Sequence, residues 1–136
     1  MAQKWTLEKT DEVTRRFKRW SKKNKRELAA VLANLDRLLT ALNSGANLES
    51  IKFGFIHREP NGVIAIDQKG GGAGLSQARL YCYPHKGALV VHLITLGDKN
   101  SQKNQDIPFC KKFVLDLLKE DTELLKDENM AGTNNG

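Results

Sequence analysis

The 136-residue chain carries 22 Lys and Arg against 16 Asp and Glu, a formal net charge of +6, and 40% of it is hydrophobic. That is enough apolar material to close one modest core and too little for a second domain. No stretch approaches the roughly 18 uncharged apolar residues of a membrane span, and the amino terminus opens on Lys4-Trp5 instead of an apolar signal segment, so the expected setting is the cytoplasm, with no membrane partner.

The charge is unevenly spread. Eight basic residues and no acid lie between Arg15 and Arg26, whereas six acids face only Lys119 and Lys126 between Asp116 and Glu128. One end of the fold is therefore expected to be positive, suited to releasing counterions from a polynucleotide or to docking an acidic protein segment. The plainer reading is a solvated helix face. Cys82 and Cys110 can pair or stay as reduced core thiols, and two cysteines do not make a disulfide framework.

In chain order, Lys4 to Leu7 offers a short strand for a sheet edge. Thr10, followed by Asp11 and Glu12, predicts a helix start, because a hydroxyl caps free amides and acids suit the positive end of the dipole. Val13, Phe17 and Trp20 then recur at helical spacing. Asn24 is placed to cap a second helix with an apolar stripe from Leu28 to Leu42, ended by Asn43-Ser44-Gly45. The stripe lasts only about two heptads, so it is expected to pack on a sheet and not in a coiled coil. Alternation then predicts strands over Ile51–Ile56 and Val63–Ile66 around the turn Glu59-Pro60-Asn61-Gly62, and, after a glycine-rich connection, over Ala78–Tyr83 and Leu89–Leu96. Asp106-Ile107-Pro108 suits the start of a last helix that turns Phe113, Val114, Leu117 and Leu118 to the core. Residues 129–136 are small and polar and are expected to be disordered. The expected fold over residues 1–128 is a single α+β domain: an N-terminal helix hairpin, a four-stranded mostly antiparallel sheet with room for a fifth N-terminal strand, and a C-terminal helix, all helices on one face.

Two stretches carry a family likeness. Ala78-Arg79-Leu80-Tyr81 sets an arginine between apolar strand residues, and Leu93 to Gln102 contains Gly97-Asp98-Lys99-Asn100-Ser101-Gln102 ahead of Asp106-Ile107. Together with the element order, these resemble the RelE/ParE superfamily of toxins from type II toxin-antitoxin systems, over about residues 4 to 120. The resemblance implies a toxin neutralised by a cognate antitoxin protein. Its target would be messenger RNA, on the ribosome or free, cut by a metal-independent endoribonuclease without cofactor, or, in the ParE branch, DNA gyrase, inhibited without catalysis. A degenerate relative that only binds RNA or a partner protein is the third possibility.

Such a ribonuclease frees a ribose 2′-hydroxyl to attack the neighbouring phosphate, so it needs cations for the phosphorane and a titrating group for the proton. The resemblance gives Arg79 the role of phosphate clamp, for which a planar guanidinium is well shaped, and places Lys99 beside it. The alternatives are a salt bridge on the sheet and a solvated loop lysine. His57 offers an imidazole as acid or base, while the family's terminal tyrosine or histidine has no counterpart after Gly97. Lys52, Arg58 and Lys69 can add cations from adjoining strands, Arg15, Arg19, Lys22 and Lys23 a steering patch, and Tyr81 and Tyr83, sharing a face with Arg79, a platform on which a base stacks unless they are core. His92, among Val90, Val91, Leu93 and Ile94, reads as a core or interface histidine. The glycine run Gly70 to Gly74 lacks the Lys-Ser/Thr ending of a nucleotide loop. Cys82, His85, His92 and Cys110 include zinc-binding residue types, at spacings that match no zinc motif.

Overall fold

The computed structural model describes residues 4–134, with side-chain surroundings for residues 4–125. Its elements run β1 (Thr6–Lys9), α1 (Asp11–Lys23), α2 (Lys25–Asn43), β2 (Ile56–Arg58), β3 (Ile64–Asp67), β4 (Arg79–His85), β5 (Val90–Gly97) and α3 (Ile107–Asn134). The five strands form one sheet in the order β1-β5-β4-β3-β2. β1, the N-terminal strand, pairs parallel with β5 through Thr6 opposite Val90 and Lys9 opposite Leu93, and the other pairings are antiparallel. The fold is α+β, and no helix among the described residues is long and apolar enough to cross a membrane.

The Thr10 hydroxyl oxygen accepts from Val13 N at 3.0 Å and its O–H donates to Ile94 O at 2.6 Å. The residue that starts α1 thus also fastens it to β5. Asn24 departs from expectation: its side chain makes no capping bond. A single residue separates the two helices, and its backbone does the joining, with N–H donating to Trp20 O at 2.7 Å and C=O accepting from Leu28 N at 3.0 Å. Val13, Trp20, Leu28, Val31, Leu35, Leu38 and Leu42 then pack on Ile64, Ile66, Leu80, Val91, Leu93 and Leu96 of the sheet. The leucine stripe serves the sheet, as its length implied.

The expected strand over Ile51–Ile56 shrinks to Ile56–Arg58. Arg58 explains the loss, because its guanidinium donates to Leu48 O at 3.0 Å and Ile51 O at 2.9 Å. Those carbonyls are satisfied without a neighbouring strand, and the segment folds in as a loop with Phe53 and Phe55 stacked at 4.9 Å.

The helices are not segregated to one face. Val63, Ala65, Tyr81 and Ile94 point away from α1 and α2 and are covered by Cys110 and Val114 of α3, so the sheet is the middle of three layers. A bulge makes this possible on β5: Tyr81 opposes Thr95 while Cys82 opposes Leu93, leaving Ile94 as the extra residue. The bulge shifts the phase of the strand, so Leu93 and Leu96 face one core and Ile94 the other. The same layering puts Cys82 and Cys110 in different cores, both buried and unpaired.

Asp106 does not cap α3 from outside. Residues Gln102–Asp106 form a wide π-helical turn that runs into α3, with Asp106 buried and accepting from the Ser101 hydroxyl at 2.5 Å. Along α3, Val114 is buried and Phe113 and Leu117 are half-buried, whereas Leu118 stays exposed. The helical backbone continues to Asn134, through most of the tail expected to be disordered, and residues 135–136 lie outside the described residues.

Where α3 meets the sheet, His92 packs against Phe113 at 5.5 Å and His85 at 5.9 Å between ring centroids. Its Nδ1 lies 3.6 Å from Glu8, and His85 pairs with Asp121 of α3 at 2.9 Å. Burial holds the His92 imidazole below its ordinary value of 6.5 despite Glu8. The unfolded chain therefore binds this proton more readily than the folded one, and the associated stability is complete above pH 6.5 and lost as pH falls below it. Thermal melts at pH 7.5 and 5.5 are expected to show a fall in the wild type that is smaller in His92→Phe.

Candidate nucleic-acid interface

The loop after β5 takes its shape from local hydrogen bonds. Asp98 Oδ1 accepts from Asn100 N at 2.9 Å and Ser101 N at 3.1 Å, and the Ser101 hydroxyl oxygen accepts from Asp98 N at 3.1 Å. This Asx turn carries the exposed Lys99 at its tip. Across from it stands the elbow between α1 and α2, and the hollow between them, about 530 Å³, is lined by Arg16, Arg19 and Asn24 on one side, Asn100 and Gln105 on the other, and Ser76 and Gln77 at the mouth of β4. Every one of these side chains can hydrogen-bond.

The arginines of this cleft differ in what they can offer. Arg16 is wall, with Nε on Glu12 at 2.8 Å and Nη1 on Leu96 O at 3.2 Å. Hydrogen bonds from Arg15 and Arg16 hold the Glu12 carboxyl below its usual range. Arg19 is exposed and makes no ion pair among the described residues. Lys22 and Lys23, at the end of α1, are exposed as expected of a steering patch, while Arg15 is exposed but bound to Glu12 at 2.5 Å.

The opposite face carries the other expected residues in two rows. One row runs His57, Ala65, Tyr81, Thr95 and the next Asp67, Arg79, Gly97, so the Arg79 row ends two residues before Lys99. This face is not open. Arg79 lies in an ion pair with Glu59 at 3.4 Å, the side chains 18% and 12% exposed, and its Nε is buried without a partner among the described residues. It is no surface cation. Arg79→Ala strands a largely buried carboxylate and is expected to cost about 2 kcal/mol in a urea titration, below the figure for a fully buried pair because some solvent reaches this one.

His57 sits inside β2 and bonds Asp67 Oδ2 at 2.6 Å, a partner that alternation alone did not single out. Lys69 donates to Gly54 O at 2.9 Å with Asp67 at 3.8 Å. Lys52 and Arg58 are elsewhere, lining a hollow by the outer edge of the sheet. The structure therefore groups Arg79, His57, Tyr81 and Lys69 on one side, and Arg19 with the Lys99 loop on the other. Missed in the sequence were Glu59, Asp67, Asn24, Ser76 and Gln77, since strand register and the elbow bring them in.

The tyrosines do not form an open stacking platform. Tyr81 is fully buried under α3, and Tyr83 is half-buried beside His85 and His92, at 5.9 and 6.5 Å. The Tyr81 hydroxyl has no hydrogen-bond partner among the described residues, and burial raises its pKa so that it keeps its proton. An unpaired buried hydroxyl costs about 1–3 kcal/mol, so Tyr81→Phe is expected to stabilise the protein by about 1 kcal/mol, read as a rise in Tm of a few degrees.

No protein-family model, curated protein or solved structure matches the chain. What the site can do follows from its own groups: exposed cations and amide or hydroxyl side chains around a cleft, with an Arg-Glu pair and a His-Asp pair on the adjoining sheet face.

Proposed function

We propose that the chain is a RelE/ParE-like toxin of the cytoplasm that acts on RNA, gripping the strand in the cleft between the α1–α2 elbow and the Asp98–Ser101 turn. The observation that carries this is Arg19, exposed in the cleft wall and without an ion pair among the described residues, with the exposed Lys99 in the Asx turn whose Asp98, Asn100 and Ser101 line the opposite wall. Two phosphate-binding cations held apart by a floor of hydrogen-bonding side chains suit a single strand, whose bases and 2′-hydroxyls are open to contact. Cleavage would need the strand to pass from the cleft to the other face of the sheet, where His57, oriented by Asp67, would take the 2′-hydroxyl proton and return it to the departing 5′-oxygen, and Arg79 would exchange Glu59 for phosphate. A cognate antitoxin with an acidic or amphipathic segment would cover the basic helix pair.

The same ion pairs favour a second reading. With Arg79 and His57 both engaged by carboxylates, a non-enzymatic inhibitor of DNA gyrase or an RNA- or protein-binding relative without catalysis needs no rearrangement. Purified protein added to translating ribosomes and, separately, to gyrase with supercoiled DNA separates them: cut message supports the ribonuclease and blocked supercoiling the gyrase inhibitor. RNA binding without cutting supports the binder, and no interaction with RNA at all overturns the first reading.

A further inference from the structure

Between the turn that follows β2 and the first turns of α3 lies a second hollow, about 370 Å³, on the face away from the basic helices. Its walls are apolar, formed by Pro60, Val63, Ile107 and Cys110, and a charged residue stands at each end, Glu59 and Lys111. Tyr81 forms part of its lining. Apolar walls around a few convergent polar groups are the usual make-up of a small-molecule site.

Two polar atoms on this face of the sheet lack partners among the described residues, one of them on the lining residue Tyr81. The Tyr81 hydroxyl and the Arg79 Nε are both buried and unpaired, and Arg79 reaches the Glu59 carboxylate through Nη1, at 3.4 Å. Native proteins rarely leave buried donors unanswered. A ligand that accepts from Tyr81 and donates to Glu59 would answer the hydroxyl and relieve a long, weak ion pair. A flat body of that description with acceptor and donor on one edge is an amide-like heterocycle, and Lys111 at the rim adds a place for an anion.

The geometry points to a nucleotide slot at this junction: a nucleobase enters edge first, its carbonyl accepting from Tyr81 and its N–H donating to Glu59, with the attached phosphate at Lys111. Its ligand class deepens the RNA reading above, on which it rests only for the origin of the nucleotide, which can be free or the end of a strand. The slot and the cleft are on opposite faces of the sheet, so each can fail alone. Tyr81 keeps its proton at any physiological pH and so remains a donor.

The test is amide NMR of the full chain titrated with uridine and adenosine 5′-monophosphates and, separately, with a short single-stranded RNA. Saturable shifts are expected at Asn61, Val63 and Lys111. They should weaken about tenfold or more in Tyr81→Phe, which removes one hydrogen bond, and vanish in Ile107→Trp, which fills the slot at a half-buried position, while Arg19→Ala leaves them unchanged. Shifts with the oligonucleotide alone keep the slot and assign it to a strand end. Shifts with monophosphates while the RNA fails to bind keep the slot and remove the RNA reading. Shifts confined to residues 98–105, full-strength binding in Tyr81→Phe and Ile107→Trp, or no shift with any probe overturns the proposal.

Discussion

Gly97→Ala is expected to destabilise the protein by about 3 kcal/mol, the upper end of what overpacking costs, and to abolish RNA binding in the protein that still folds. Gly97 is the last residue of β5, opposite Arg79, and is fully enclosed. A Cβ there would collide with the Asp106 carboxylate and stand 2.5 Å from the Ser101 hydroxyl oxygen. Neither neighbour can step aside cheaply. Asp106 is buried in the π-helical turn that launches α3, and Ser101 both closes the Asx turn and donates to Asp106. Relief of the clash therefore moves the Lys99 loop and the start of α3 together. Urea denaturation reads the first effect and a fluorescence anisotropy titration with single-stranded RNA the second; a well-folded Gly97→Ala protein with native affinity would mean that the loop is not tied to the site as described.

The second large effect is electrostatic. Arg19→Glu combined with Lys99→Glu should lower RNA affinity by about a hundredfold at moderate salt. It should also flatten the dependence of log affinity on log salt by about 1.4, since each phosphate contact on a single strand contributes roughly 0.7 to that slope. Both positions are exposed and make no ion pair among the described residues, so stability should change by no more than about 0.5 kcal/mol. Lys22→Glu with Lys23→Glu is the comparison: an equal charge change at the end of α1, with neither residue in the cleft lining or in the Asp98–Ser101 turn that forms one of its walls. Equal losses from the two pairs would make the interaction a diffuse charge effect and not a site.

Local signals read well from the sequence. The Thr10 cap, the leucine stripe of α2 and the alternation in β4 each depend on neighbours within one or two turns or one strand, and each holds in the fold. What did not read were features decided across long separations. The second core arises because a bulge at Ile94 turns one residue of β5 the other way and α3 folds back over it; no local pattern says which face a terminal helix will choose. The site shows the same division. Lys99 and Arg19 stand exposed, as their surroundings in the chain suggested, whereas Arg79 and His57 are each claimed by a carboxylate, from Glu59 twenty residues away and Asp67 ten away. A shift of one residue in the β2–β3 pairing would have removed both partners, and register is a property of the assembled sheet.

The edge pairing of β1 with β5 also sets a schedule. Thr6–Lys9 is made before every other strand described, yet its only strand partner among the described residues is Val90–Leu93, and Thr10 waits for the carbonyl of Ile94. During vectorial synthesis the helix pair and the β2–β4 meander can associate while the leading segment still dangles. Closure of the sheet must await β5, and with it the Asp98–Ser101 turn. The Lys99 loop thus acquires its shape only after β5 has been made, and on the proposed reading a chain stopped short of that point would lack its grip on RNA.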